Sequence, residues 1–158
     1  MLSRCYSDKT QKRQPTYIEG SVCEEWLTFS NFRSWMEAQD WDGFQLDKDI
    51  ISPGNKIYSP EFCVFIPQSL NKLLNSHASR RGKWPRGVHF NKAEGIFRSV
   101  CNVNGKSKYL GGFSTPEAAS REYKKFKSNH IKETAKEFKS STRIYKGLMS
   151  HALILYSD

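Results

Sequence analysis

The apolar positions of the chain change rhythm several times. Trp26, Phe29, Phe32, Trp35 and Met36 recur at roughly helical spacing. That spacing predicts a short strand or turn leading into a helix over Thr28–Gln39, with its aromatics in the core and "DWDG" as its end. Over 44–50, "FQLDKDI", the rhythm becomes alternation: Phe44, Leu46 and Ile50 bracket polar positions, as in a strand, and Pro53, Gly54 and Asn55 then mark a turn. "KIYSPEFCVFIP" supplies a second extended stretch, interrupted at Ser59-Pro60. "PQSLNKLLNSHA" reads as a short helix with Pro67 near its first turn and Leu70, Leu73 and Leu74 on one face. The order is hairpin, then helix: a ββα unit. The polar residues before it are irregular, with "QKRQPTY" expected as an exposed loop.

From residue 79 the punctuation is more explicit. "SRRGKWPRG" is a basic linker. "GVHFNK" and "IFRSVCNV" are strands joined by the turn "AEG", and "NG" at 104–105 signals a type I′ turn into a third strand, "KSKYLGGF". Thr115 suits an N-cap, Pro116 the first helical position and Glu117 the positive end of the dipole. The helix from 116 to about 138 sets Ala119, Tyr123, Phe126, His130 or Ile131, Ala135 and Phe138 on one stripe, and Lys124, Lys125, Lys127 and Lys132 on the other face. The last residues predict a short helix, "TRIYKGLMSH", and a terminal strand, "ALILY". The fold class is therefore α+β, with a ββα region over 1–78, a linker over 79–86, a three-stranded antiparallel sheet on one long helix over 87–138, and an extension over 139–158.

Charge sharpens this division. The net charge is +9, but residues 1–71 hold 7 Lys and Arg against 10 Asp and Glu, whereas residues 72–138 hold 15 against 5. A basic segment beside a mildly acidic one is the electrostatic footprint of nucleic-acid binding; a merely soluble basic surface is the plain alternative. Apolar content is ordinary and no apolar run approaches a membrane span. The first residues lack the apolar core of a secretory signal, so a cytoplasmic protein without a membrane is expected. Cys5, Cys23, Cys63 and Cys101 are scattered without a C-x-x-C pair, and read first as reduced, partly buried thiols. A zinc site from Cys5, Cys23 and Cys63 with a histidine is the alternative.

Alternation along the second strand of the basic half assigns Phe97, Ser99, Cys101 and Val103 to the helix side and Arg98, Val100 and Asn102 to the free side. Arg86, His89 and Asn91 from the first strand, and Ser107 and Tyr109 from the third, are expected with the free set. These groups hydrogen-bond base edges, and Lys92, Lys106 and Lys108 at the strand ends suit phosphates. A sheet can enter the major groove as a β-ribbon does. A solvated polar sheet face is the competing reading.

"RGVHFNKAEGIFRSVCNVNGKSKYLGGFSTPEAASREY" resembles the Apetala-type (ethylene-response) DNA-binding domain in the form found in phage homing endonucleases, through Gly87-Val88, Phe97-x-Ser99-x-Cys101, "YLGGF" and "TPEAA". The resemblance covers roughly 86–124. It implies a sheet that reads the major groove of double-stranded DNA, with contacts at Arg86, His89, Asn91, Asn102, Ser107 and Tyr109, and a phage or mobile-element origin. Several of these positions are arginine or tryptophan in the plant proteins, so a base preference does not carry over.

Enzymes with this module place an HNH (His-Me finger) nuclease unit before it, and "LDKDI…GN…YSPEFCVFIPQSLN" resembles that ββα unit. The resemblance implies Asp47 as strand ligand and Asn71 as helix ligand of Mg²⁺ or another divalent metal, and Asn55 as the loop asparagine. The position of the general base holds Lys48 rather than histidine, and protonated lysine is a poor base. On a regular strand Asp49 points away from Lys48; His77 and His89 are base candidates outside the motif. Three functions follow: a metal-dependent nickase, a non-catalytic DNA-binding or regulatory protein acting in the host cytoplasm, and a phage protein directed at a host protein partner. A surface charge cluster without a ligand is the bland reading of Asp47, Lys48 and Asp49.

Overall fold

The computed structural model describes residues 1–74 and 83–157. It is a mixed α+β chain that divides into two compact units, Met1–Asn71 and Lys72–Asp158. No described helix is long and apolar enough to cross a membrane. His77, residues 75–78 of the expected short helix and residues 79–82 of the expected linker lie outside the described residues.

In the first unit, the opening expected as irregular forms helices α1 (Leu2–Tyr6) and α2 (Asp8–Arg13), and a 3₁₀ turn at Pro15–Tyr17 follows. Strand β1 (Ser21–Val22) and a second 3₁₀ turn (Glu24–Leu27) lead into α3 (Phe29–Glu37). Trp26 is almost fully buried, with Phe32 edge-on at 5.2 Å and Trp35 at 4.5 Å. Around it gather Cys5, Val22, Tyr58 and Cys63. Phe29, expected in the core, is 68 % exposed: helical periodicity fixes a stripe, but not which members of a wide stripe reach the core.

The stretch 44–50 is not a single strand. Only β2 (Gln45–Asp47) is extended. Asp47 Oδ1 accepts from the backbone N–H of Asp49 at 2.9 Å and of Ile50 at 2.7 Å, and this side-chain-to-backbone turn ends the strand. The second extended stretch is likewise divided: β3 (Ile57–Tyr58) pairs parallel with β1, and β4 (Val64–Ile66) pairs antiparallel with β2. Helix α4 (Gln68–Leu74) follows.

In the second unit, β5 (Val88–Asn91), β6 (Ile96–Val103) and β7 (Lys106–Phe113) form one antiparallel sheet in that order. Helix α5 (Pro116–Lys136) backs it, with Thr115 Oγ1 accepting from Ala118 N at 3.2 Å as the N-cap. Asn104 and Gly105 both have positive φ, as a type I′ turn requires. The end of the chain is one helix, α6 (Thr142–Ser157), rather than a helix and a strand. The run "ALILY" carries no period of its own, and its Ala152 is fully buried where Ser128 of α5 donates to its carbonyl at 2.8 Å.

Candidate functional site

The outer face of the sheet begins with pairing. His89 lies opposite Arg98, Asn102 opposite Ser107 and Val100 opposite Tyr109, so these side chains share the face away from α5. Ser99 and Cys101, on the other face, are fully buried. Simple alternation back from Phe113, which pairs with Phe97, would have turned Tyr109 and Ser107 inward. A bulge prevents this: Gly111 opposes Ser99 while Tyr109 opposes Val100, leaving Leu110 as an extra residue. Gly111 has φ +141, outside the range that side chains favour. The glycine pair of "YLGGF" thus aims a phenol at the outer face.

Arg98 is held on that face. It pairs with Glu94 of the β5–β6 turn through both Nε and Nη2, and its guanidinium carbon sits 5.9 Å from the Tyr109 ring centroid. Asn91 and Asn102 each spend a carbonyl on a turn, accepting from Ala93 N at 3.1 Å and Gly105 N at 3.0 Å. Tyr109 is 58 % exposed; His89, Asn102 and Ser107 are exposed as well. Lys92 is exposed in the first turn.

One expected member of the face lies elsewhere, and two of the strand-end lysines point to the α5 side. Arg86 sits before β5 with its guanidinium 5.8 Å from the ring centroid of Tyr123 on α5, so it belongs to the inner side. Lys108 opposes Cys101 and places its Nζ 4.7 Å from the Phe126 ring centroid, also on the α5 side, and Lys106 shares that side opposite Val103. The bulge is again the cause, since it shifts the parity of every β7 residue before Leu110. Lys127, expected on the solvated face of α5, is only 4 % exposed. Its letter is charged, but its position one turn after Tyr123 places it under the sheet.

The Asp47 loop gathers several expected residues, in a different arrangement from the one anticipated. Lys48 is buried, and its Nζ donates to Asp49 Oδ1 and to the Asn55 carbonyl, each at 2.6 Å. It also lies 5.8 Å from the Tyr58 ring centroid. Asp49 is thus Lys48's ion-pair partner, not a residue on the opposite face of a strand. Asn55 donates to the carbonyls of Lys48 at 3.2 Å and Ile57 at 2.6 Å, and accepts from Ile57 N at 3.1 Å. Its amide is spent closing the loop. Asn71 donates to Gln45 Oε1 at 2.9 Å, so it meets the strand two residues before Asp47.

Burial pushes the Asp47 carboxyl above its usual range, although the two backbone donors pull the other way. Divalent cations of the magnesium type need several oxygen donors converging at close range. One Asp47 oxygen already serves two backbone amides, and among the described residues no group of three or more His, Cys, Asp or Glu side chains is arranged to hold a metal ion. Among the described residues, the donor set fits neither the cation that the nuclease resemblance implies nor the zinc alternative. The cysteines are all free thiols. Burial drives Cys63 up to about 12, which leaves it a neutral, unreactive thiol.

Comparison of the chain with protein-family models, with curated proteins and with solved structures gives no match.

Proposed function

We propose that this protein binds double-stranded DNA through the outer face of its three-stranded sheet, and that its first unit is an HNH-like scaffold that does not cut. The observation that carries the reading is the outer face itself. His89, Arg98, Asn102, Ser107 and Tyr109 offer imidazole, guanidinium, amide, hydroxyl and phenol groups side by side. They belong to the unit that holds the chain's positive charge, and Arg98 is oriented in advance by Glu94. Donors and acceptors of this kind discriminate base pairs in the major groove, while neighbouring lysines supply phosphate contacts. The likeness of this segment to the Apetala-type domain points the same way.

The order β2, β4, α4 supports the HNH-like part of the proposal, and the Lys48 brace supports the loss of cutting. A general base needs a lone pair aimed at water. An ammonium donating to Asp49 and to the Asn55 carbonyl is committed as a donor. Lys48 closes the loop where the chemistry would need a base.

A supercoiled plasmid incubated with Mg²⁺ or Mn²⁺, alongside duplex binding measured across a salt series, tests both parts. The expected result is binding that weakens steeply with salt and no nicked product. Nicking that is lost in chelator and in Asp47→Asn would reinstate the nuclease. Binding to no duplex at any salt concentration would sink the DNA reading and leave a protein partner as the target.

A further inference from the structure

Among the described strand residues of the outer face, Arg98 alone carries a fixed positive charge, because Lys106 and Lys108 lie on the α5 side. Its guanidinium is held from two directions. Glu94, in the turn between β5 and β6, accepts from Nε at 3.4 Å and also from Nη2. On the other side, the Tyr109 ring centroid lies 5.9 Å from the guanidinium carbon. Gly112, directly opposite Arg98, leaves room for that phenol: a Cβ there would stand 3.1 Å from the Tyr109 hydroxyl.

Stability does not explain the pair. The side chains of Arg98 and Glu94 are 43 % and 47 % exposed, and ion pairs so exposed contribute little to folding. The pair also sets an acid on a face meant for DNA, where a carboxylate repels phosphate. What it changes is the use of the arginine. An unheld arginine swings on a long stem and neutralises any phosphate within reach, which raises affinity for every sequence alike. Held at Nε and Nη2, the arginine has its charge offset by the carboxylate and its stem already ordered. The edge left over consists of Nη1 and the second Nη2 hydrogen, two donors side by side. It matches a base with two neighbouring acceptors, and in the major groove guanine offers them in O6 and N7.

We propose that Glu94 is a positioning residue for sequence discrimination: it withholds Arg98 from the phosphates and leaves the free edge of the guanidinium for a base. The inference rests on the outer face being the DNA-binding surface, and it adds how that face gains selectivity at the expense of general affinity.

The test compares a duplex selected from a randomised pool by the unaltered chain with random-sequence duplex, across a salt series. Glu94→Gln is expected to bind random duplex more tightly, to steepen the salt dependence by about one unit of slope, and to lower the preference for the selected duplex by about tenfold. Arg98→Lys keeps the charge and loses the fork, so it should lower the preference likewise. Glu94 is exposed in a turn, and thermal unfolding of Glu94→Gln should match the unaltered chain. Made in an Arg98→Ala background, Glu94→Gln should leave the preference unchanged, since Glu94 acts through Arg98. A preference that survives Glu94→Gln would overturn the positioning role. So would a preference that falls equally with Arg98 already removed, which would make Glu94 itself the base contact. Binding to no duplex would sink the DNA reading itself, whereas binding that selects no sequence from the pool would leave that reading standing and overturn this inference alone.

Discussion

The Asp47 loop and the outer sheet face contain similar chemistry and use it in opposite ways. In the loop, Asp47, Lys48, Asp49 and Asn55 satisfy one another or the local backbone. On the sheet, His89, Ser107 and Tyr109 project outward, and the acid beside Arg98 comes from a turn and orients the guanidinium. The same residue types therefore mean different things depending on where their hydrogen bonds go. A polar side chain absorbed by the backbone is architecture, and one left facing solvent is available for recognition.

Substitutions can break this contrast. The largest effect is expected at Gly87, which has φ +75 and lies flush against Tyr123: an added Cβ would come 2.1 Å from that ring and 2.7 Å from the Val100 carbonyl. Overpacking and backbone strain together predict that Gly87→Ala costs about 3 kcal/mol or more. Duplex binding should vanish while the tryptophan environment of the first unit survives, and a fully folded, DNA-binding variant would contradict the packing described.

Lys48→Met comes next. It removes two hydrogen bonds from a charged donor, worth about 2 kcal/mol together after allowing for the half-exposed Asp49. Urea denaturation should register the loss in the first unit, with duplex affinity unchanged; a drop in affinity without a drop in stability would move Lys48 from architecture to recognition. On the sheet the expectation is reversed. Arg98→Ala should weaken duplex binding by about tenfold and barely change stability, with Asn102→Ala next and the exposed Lys9 and Lys12 of the first unit without effect. Equal losses at all four positions would remove the distinction between the two regions.

The smallest effect is set by pH. Burial holds Cys63 and Tyr58 of the first unit at about 12, so the unfolded chain releases these protons first as alkali is added. Stability from these groups is complete below the ordinary thiol range and declines as pH rises toward 12. In the second unit Cys101 and Tyr123 shift in the same direction, but Lys127 is depressed and contributes the opposite slope, gaining stability as pH approaches the usual lysine range. Alkaline titration followed by hydrogen exchange should loosen the first unit before the second.

The second half of the fold was the more legible from sequence, because its boundaries are written in local chemistry. Asn104-Gly105 specifies a turn, and Thr115-Pro116 specifies a helix start. The Leu110 bulge was not legible, since it depends on the packing of Phe113 and the glycine pair; Ser107 and Tyr109 were placed on the outer face without it. Lys127 was misplaced because periodicity weighs a residue by its charge rather than by the sheet above it. In the first half, the alternation at 44–50 concealed the turn made by Asp47, and the pairing of β1 with β3 joins segments too distant for any window to connect. The candidate loop residues could be located by resemblance, whereas their mutual hydrogen bonds required the fold.

That parallel pairing also bears on the order of folding. Ser21 and Val22 find their partners only at Ile57 and Tyr58, so this contact closes a long loop. The hairpins of the second unit close over a few residues and need no such search. Local pairing forms earlier than distant pairing. The unit synthesised first is thus the one that completes its sheet contacts more slowly on refolding, and its segments spend longer with Trp26 uncovered. Because Trp26, Trp35 and Trp41 belong to the first unit and Trp84 to the second, fluorescence can time the two separately.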